Sequence, residues 1–552
     1  MNFCPECGTR LGNVPESDNI GVCGIIFTNT LLLAGKLRCG REDVTGLIDS
    51  FIRHRSETGM HYRLADAGDY TFQKTGFFGR QRRVSLDAES PVHEYLEILS
   101  DIHKKEEASG EGISEYLFII GGADIIPVPR IRHYFSENSS DKTIDTDLLY
   151  AYPYGQDSLR ALEDMEAFGY DQMFHIGRLP LGKDAVIEDL AGYLERVIGN
   201  RGIIEIGRAY GQTDPNWKKV SANVASDLIE NGFIRNLDGN LPEDYYYNRL
   251  ILSPMVTEKT VSRILDTGAD LYYFNLHGGE GAETRGYFGA STPQHGSNMY
   301  QAILPEQLTM AGKPNIVVSE ACYGGKFIGL DKRRSMVLAA LFSNALAFVG
   351  SSRIAYGAVD SSDGENGLFS ADIIAKTFIR HAMQGYNAGQ ALAMARSTLL
   401  QHAGWGDIYA ALTITEFNLY GDPALVMHAP GGNAGSSLKL AGKGAIAPKG
   451  AEKDTCRPER IDVRGSGQIL GMVREAVDSR IMEIHNTISR HLYSNYSVKP
   501  RGLDSAFRLR YGSGKETILF NYRIDTGEGK PDLLYTVSST SGGKILNVFT
   551  TK

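Results

Sequence analysis

The chain has 552 residues, more than one ordinary domain holds, and about 150 residues per domain suggests three or four units. Its 42% apolar and 22% charged shares suit a folded soluble protein and exclude wholesale disorder. With 57 basic against 66 acidic residues the net charge is −9, which argues against a nucleic-acid or acidic-membrane binder.

Six cysteines in this length make no disulfide framework: Cys4, Cys7, Cys23 and Cys39, then Cys322 and Cys456 alone. FCPECG (3–8) is a C-x-x-C knuckle, in which Pro and Gly shape a turn that aims two thiolates at one metal. Cys23 and Cys39, each followed by Gly, would complete a four-thiolate structural zinc site, although they form no second C-x-x-C. The segment 1–44 therefore reads as a zinc-ribbon-like piece. The alternative is a degenerate ribbon or surface thiols. No basic stretch followed by an apolar one opens the chain, so no export signal is expected. The apolar run 335–350 is broken by Ser343 and Asn344 and is too short to span a membrane. A reducing cytoplasm is the expected compartment.

From about residue 45 helices and strands alternate. Segment 46–59 predicts an amphipathic helix, 61–70 a strand and its loop, 91–110 another helix, and EYLFIIGG (115–122) an apolar strand. A second series begins near 202: strand 203–211, helix 217–232, then the strand-and-glycine units ADLYYFNLHGG (269–279) and NIVVSEACYGG (315–325). Helix 335–345, strand 346–352 and helices 367–385 and 386–402 follow. Apolar runs set between helices predict doubly wound, mostly parallel sheets, with active residues at the carboxyl ends of strands. The stretch 429–458 reads as a linker rich in Gly, Ala, Ser and Lys. Beyond it, 459–552 predicts a small, mildly basic α+β domain: helix 466–496, then antiparallel strands at 507–511, 516–524, 532–540 and 544–551. The acidic loop DSSDGEN (360–366) is a candidate for calcium, or simply a solvated loop.

Two strand ends carry chemistry. His277 stands where LYYFNL opens into glycines, and Cys322 stands in the same situation one unit later. On neighbouring parallel strands both side chains would emerge at one sheet edge. A thiol near neutral pH needs a base or an electropositive setting to become a thiolate, and imidazole supplies either. The N–H groups of Gly278 and Cys322 could form an oxyanion hole. Taken singly, a cysteine in an apolar strand is a small core residue and a histidine a hydrogen-bonded structural one. Their paired context favours catalysis.

The sequence resembles the caspase-like (clan CD) cysteine peptidases, and within them the gingipain family. The resemblance rests on His277–Gly278 and on EAC at Glu320–Cys322, extended by IGRLP (176–180) and LYGDPAL (419–425). It implies two α/β subdomains, 45–200 and 201–428, with Cys322 as nucleophile, His277 as general acid/base and no cofactor for catalysis. It also implies a protein or peptide substrate. Gingipains that cut after Arg hold the guanidinium with an acid in the loop after the first catalytic strand. Here that loop is YGQTDPNWKK (210–219), whose acid is Asp214. Tyr356 falls where the family has an aromatic pocket wall. Asp214 is also a natural turn starter before Pro215, and Tyr356 is equally a packed aromatic.

This sequence also departs from the family. The acid that assists the histidine falls at Tyr210, which leaves a dyad, or a replacement such as Glu280 or Glu320. The expectation is therefore a regulated intracellular endopeptidase cutting after Arg or Lys, with a regulatory partner recruited by the C-terminal domain. Lys439, Lys443, Lys449, Lys453 and Arg457 in the linker would suit self-processing. The competing reading is a non-catalytic adaptor on the same fold; a third is a Cys-dependent acyltransferase or hydrolase. Cys456 has no assigned role.

Overall fold

The computed structural model describes residues 22–75, 81–87, 89–109, 113–132, 143–152, 174–234, 243–253, 268–279, 285–290, 299–309, 311–359, 367–403, 408–431, 456–461, 479–496, 503, 505–511, 516–524, 533–540 and 543–551. The apolar runs of the sequence become its central strands. Tyr116–Ile120, Leu271–Asn275, Asn315–Ser319 and Ala345–Ser351 are buried along their whole length, as strands covered on both faces must be. Helices supply the cover through one apolar stripe each. Arg41–Ser56 buries Val44, Ile48 and Phe51, and Ile187–Gly199 buries Leu190, Tyr193, Leu194 and Val197.

Among the described residues these strands form one eleven-stranded sheet. Its order is Tyr246–Tyr247, Leu250–Leu252, Ala209–Thr213, Leu271–Asn275, Asn315–Ser319, Ala345–Ser351, Phe417–Gly421, His175–Leu179, Tyr116–Ile120, Val22–Thr28, Met60–Asp66. Neighbours run parallel except at the short first strand and where Ala345–Ser351 meets Phe417–Gly421. The antiparallel step thus falls inside the expected second half: Phe417–Gly421 runs with the strands of the first half, parallel to His175–Leu179, and the carboxyl ends on the two sides of that step point in opposite directions. Only one of those edges carries the His277 and Cys322 strand ends.

Buried charge braces the first half and ties the segment after Phe417–Gly421 to it. Arg178 of IGRLP is fully buried and gives Nε and Nη2 to both oxygens of Asp147, at 2.8 and 2.6 Å. Its Nη1 donates to the carbonyls of Gly121 and Ile126. Asp422 of the GDP segment accepts from the Tyr62 hydroxyl at 2.5 Å and the Ala424 N–H, and pairs with Arg55 at 3.2 Å. Both motifs are therefore structural here.

Three expectations change. Residues 22–44 are not a separate Cys-rich piece: Val22–Thr28 is a strand of the large sheet and Thr30–Leu37 a helix, because GIIF buries itself completely. The stretch 203–211 splits, Ile203–Glu205 pairing with Val426–His428 while Ala209–Thr213 joins the large sheet. Among the described residues the C-terminal sheet has six strands rather than four, with Cys456–Ile461 at one end of the order and Tyr356–Ala358 at the other. The second of these comes from the peptidase half. Helix Ser479–Tyr496 packs Ile484, Ile488 and Leu492 against that sheet. No helix among the described residues is long and apolar enough to cross a membrane.

Removing one member of a buried ion pair strands the other charge without water, at a cost of about 3–5 kcal/mol. Asp147→Ala should therefore lower unfolding stability by that amount in a denaturant titration, while a surface control such as Lys104→Ala stays within about 0.5 kcal/mol.

Candidate active site

The strands ending in His277 and Cys322 are direct parallel neighbours, with Leu271 opposite Ile316 and Phe274 opposite Ser319. His277 lies three residues past Phe274 and Cys322 three past Ser319, so both leave the sheet at the same level. Their backbones then close on each other. A Cβ built on Gly278 would stand 1.8 Å from the Cys322 carbonyl oxygen and 3.4 Å from the Cys322 nitrogen. Only glycine permits this approach. It brings the backbones of Gly278 and Cys322, the two expected oxyanion donors, against each other.

Cys322 is buried, and its Sγ meets one residue from both sides. Ala355 donates its N–H to the sulfur at 3.2 Å, and the Ala355 carbonyl accepts from the thiol at 3.6 Å. The next residue, Tyr323, has φ of +56°, a left-handed conformation unusual for a bulky side chain, and its N–H is tied to the Arg353 carbonyl at 2.7 Å. That tight turn takes Cys322 out of the strand direction.

His277 is held by three neighbours. Its backbone exchanges both hydrogen bonds with Phe288, at 2.8 and 2.7 Å. Trp217 packs on the imidazole with ring centroids 4.1 Å apart. Asp214 Oδ2 lies 3.6 Å from Nε2, an ion-pair distance somewhat beyond a hydrogen bond. The Asp-Pro-Asn-Trp turn aims the last two groups together. Asp214 caps a short 3₁₀ turn by accepting from the Asn216 N–H at 2.8 Å, Pro215 starts the turn, and Trp217 closes it on the Asp214 carbonyl.

Asp214 therefore does not lie open to a substrate guanidinium, as the sequence reading expected. It is fully buried, and the oxygen facing His277 also accepts from the Ala290 N–H at 2.5 Å. Burial pushes its carboxyl up to about 6, against the downward pull of the Ala290 and Asn216 hydrogen bonds. The other replacement acids are placed differently. Glu320 accepts from the Tyr273 hydroxyl at 2.6 Å, and Glu280 is outside the described residues. Tyr210 directs its hydroxyl to Gln212. Tyr356 is buried and packs edge-on against Tyr409 at 4.9 Å. Trp217 escaped the sequence reading. Its only signal was its place two residues after the Asp214–Pro215 step.

Of the four-cysteine set, the structure describes Cys23 and Cys39. Cys23 opens its strand beside Glu106, Glu115 and Arg63, whereas Cys39 follows a helix end beside Asp43 and Glu188. Cys4, Cys7 and the 360–366 loop lie outside the described residues. Among the described residues no cluster of three His, Cys, Asp or Glu side chains could hold a metal.

Two variants test this geometry. As pH falls through about 6, Asp214 takes up a proton and stops holding an imidazolium, so activity should fall there. Asp214→Asn should reduce kcat on the order of 10²-fold and remove the Asp214 contribution to that acid limb. The checks are a pH–rate profile of each protein and a P1 peptide panel, where the loss should be equal for all substrates. Gly278→Ala, whose methyl meets the Cys322 carbonyl, should lower kcat by at least about 10²-fold in the same assay.

The family model described as peptidase family C25 matches residues 29–428. No curated protein sequence matches the chain. Solved structures to which it is similar include the Arg-specific cysteine proteinase gingipain R (RgpB), at 12% identity over 97% of this chain and 98% of that one, with a TM-score of 0.46. The complex of Porphyromonas gingivalis RgpB pro- and mature domains is similar at 11% identity over 96% and 99%, TM-score 0.45. The Saccharomyces cerevisiae separase–securin complex is similar at 12% identity over 62% of this chain and 18% of that one, TM-score 0.31. The chain belongs to peptidase family C25, the gingipain family, and is a cysteine endopeptidase of clan CD.

Proposed function

We propose that the chain cleaves proteins or peptides with Cys322 as nucleophile and His277 as general acid/base, and that Asp214 makes the dyad a triad. The observation that carries this reading is the register of the two strands, with Gly278 closed against Cys322. With Nε2 turned to Asp214, the other ring nitrogen, Nδ1, is the one that takes the thiol proton. The thiolate attacks the scissile carbonyl carbon, and the oxygen that becomes negative is met by the Gly278 and Cys322 N–H groups. The imidazolium returns the proton to the leaving amine as the C–N bond breaks, leaving a thioester. Water, deprotonated by the same imidazole, then releases the acid and restores the thiol. Asp214 steadies the ring and the imidazolium formed in each half.

Family membership supports a basic residue, Arg or Lys, before the scissile bond, with no pocket role for Asp214. A regulated role in the cytoplasm belongs to the same proposal, supported by the acidic composition and sparse cysteines. The competing adaptor reading lacks a comparable observation.

Cys322→Ala should abolish cleavage of peptides bearing Arg at that position while circular dichroism and melting stay close to the parent. Retained cleavage in the variant would overturn the nucleophile. Efficient cutting after Asp or Asn with none after Arg would overturn the specificity.

A further inference from the structure

The C-terminal sheet is built onto the catalytic half. Ile545–Thr551 pairs antiparallel with Tyr356–Ala358, placing Thr551 opposite Tyr356, Thr550 opposite Gly357 and Phe549 opposite Ala358. The residue just before that strand is Ala355, whose N–H and carbonyl both meet Cys322 Sγ. Phe549 lies flat on Phe369, with centroids 4.0 Å apart at 11°, and its ring reaches Tyr409 at 5.3 Å. A short three-residue strand has little stability of its own, so its position depends on the partner it pairs with.

The same unit reaches the histidine by a second route. Phe288, which exchanges both backbone hydrogen bonds with His277, is buried in one cluster with Met299 and the C-terminal residues Ile484, Ile488 and Val537. Two residues on, Ala290 donates to Asp214. One domain therefore grips the backbone partner of the thiol and the backbone partner of the imidazole.

We propose that the C-terminal α+β domain is a positioning element of the catalytic centre. Docked, it holds Ala355 against Cys322 through the strand Tyr356–Ala358, and the Phe288 hairpin against His277; undocked, the two groups lose their mutual alignment. The partner that this domain recruits is its own peptidase half. This inference rests on the assignment of Cys322 and His277 as the reacting pair.

The test uses the full chain and two readouts: turnover of an Arg peptide, and the rate at which iodoacetamide alkylates Cys322, followed by mass spectrometry. Phe549→Ala should lower kcat by at least about 10-fold with KM little changed, slow the alkylation, and be largely rescued by Phe549→Leu. Phe369→Ala removes the same stack from the other side, and the double variant should lose little more than either single one. If Phe549→Ala does not fold, Phe369→Ala carries the test by itself, since Phe369 lies outside the C-terminal sheet. Unchanged kcat and alkylation in folded variants overturn the proposal, and a gain in activity overturns it too, because the domain would then be a lid. Parallel Cys322→Ala protein separates the two levels: activity retained there refutes the nucleophile itself.

Discussion

The structure turns on the in-register parallel pairing of Leu271–Asn275 with Asn315–Ser319 and the backbone contact that follows it. Two extended strands of equal register deliver their next residues to one level, and the missing side chain of Gly278 lets the chains close past the sheet edge. The segments that carry the thiol, the imidazole and the two N–H groups then lie side by side without any long side chain having to reach. Preorganisation of this kind is achieved by the backbone, so the rest of the fold serves to keep those two strands in place.

Much of that service is electrostatic and lies far from the chemistry. Arg178 with Asp147, and Asp422 with Arg55 and Tyr62, are charges removed from water and paired within the protein. They sit beside the antiparallel seam where the two halves of the sheet meet. Such pairs add little net stability over an apolar core of the same shape, but they penalise any misaligned packing that separates the charges. A seam between two oppositely directed sheets needs that discrimination more than it needs raw burial.

Around the imidazole, one turn does several jobs. Asp214 caps the turn, faces His277 and accepts from the Phe288–Ala290 hairpin, while Trp217 covers the ring. Its burial raises the cost of ionising the carboxylate, and its two backbone donors lower that cost, leaving it poised near the pH range where histidine titrates. The hairpin that supplies one donor is itself packed into the C-terminal domain. Charge state at the site and docking of a remote domain therefore share a physical connection.

The sequence alone determined the features that are local. An apolar run ending in glycine specified each of the strand ends at His277 and Cys322, and the Asp-Pro step specified the turn at Asp214. The buried helices and strands of the peptidase half followed from periodicity and apolar runs for the same reason. It could not say which way Asp214 would face, because a carboxylate in a turn serves a pocket or a histidine with equal local chemistry. Nor could it separate Val22–Thr28 from a Cys-rich ribbon, since Cys23 reads alike on a strand and on a knuckle. Tertiary structure decided those points, and it alone joined Tyr356–Ala358 to the last strand of the chain. Strand pairing between distant segments is settled by which edge the packed domains leave exposed, and that property belongs to no single stretch of residues.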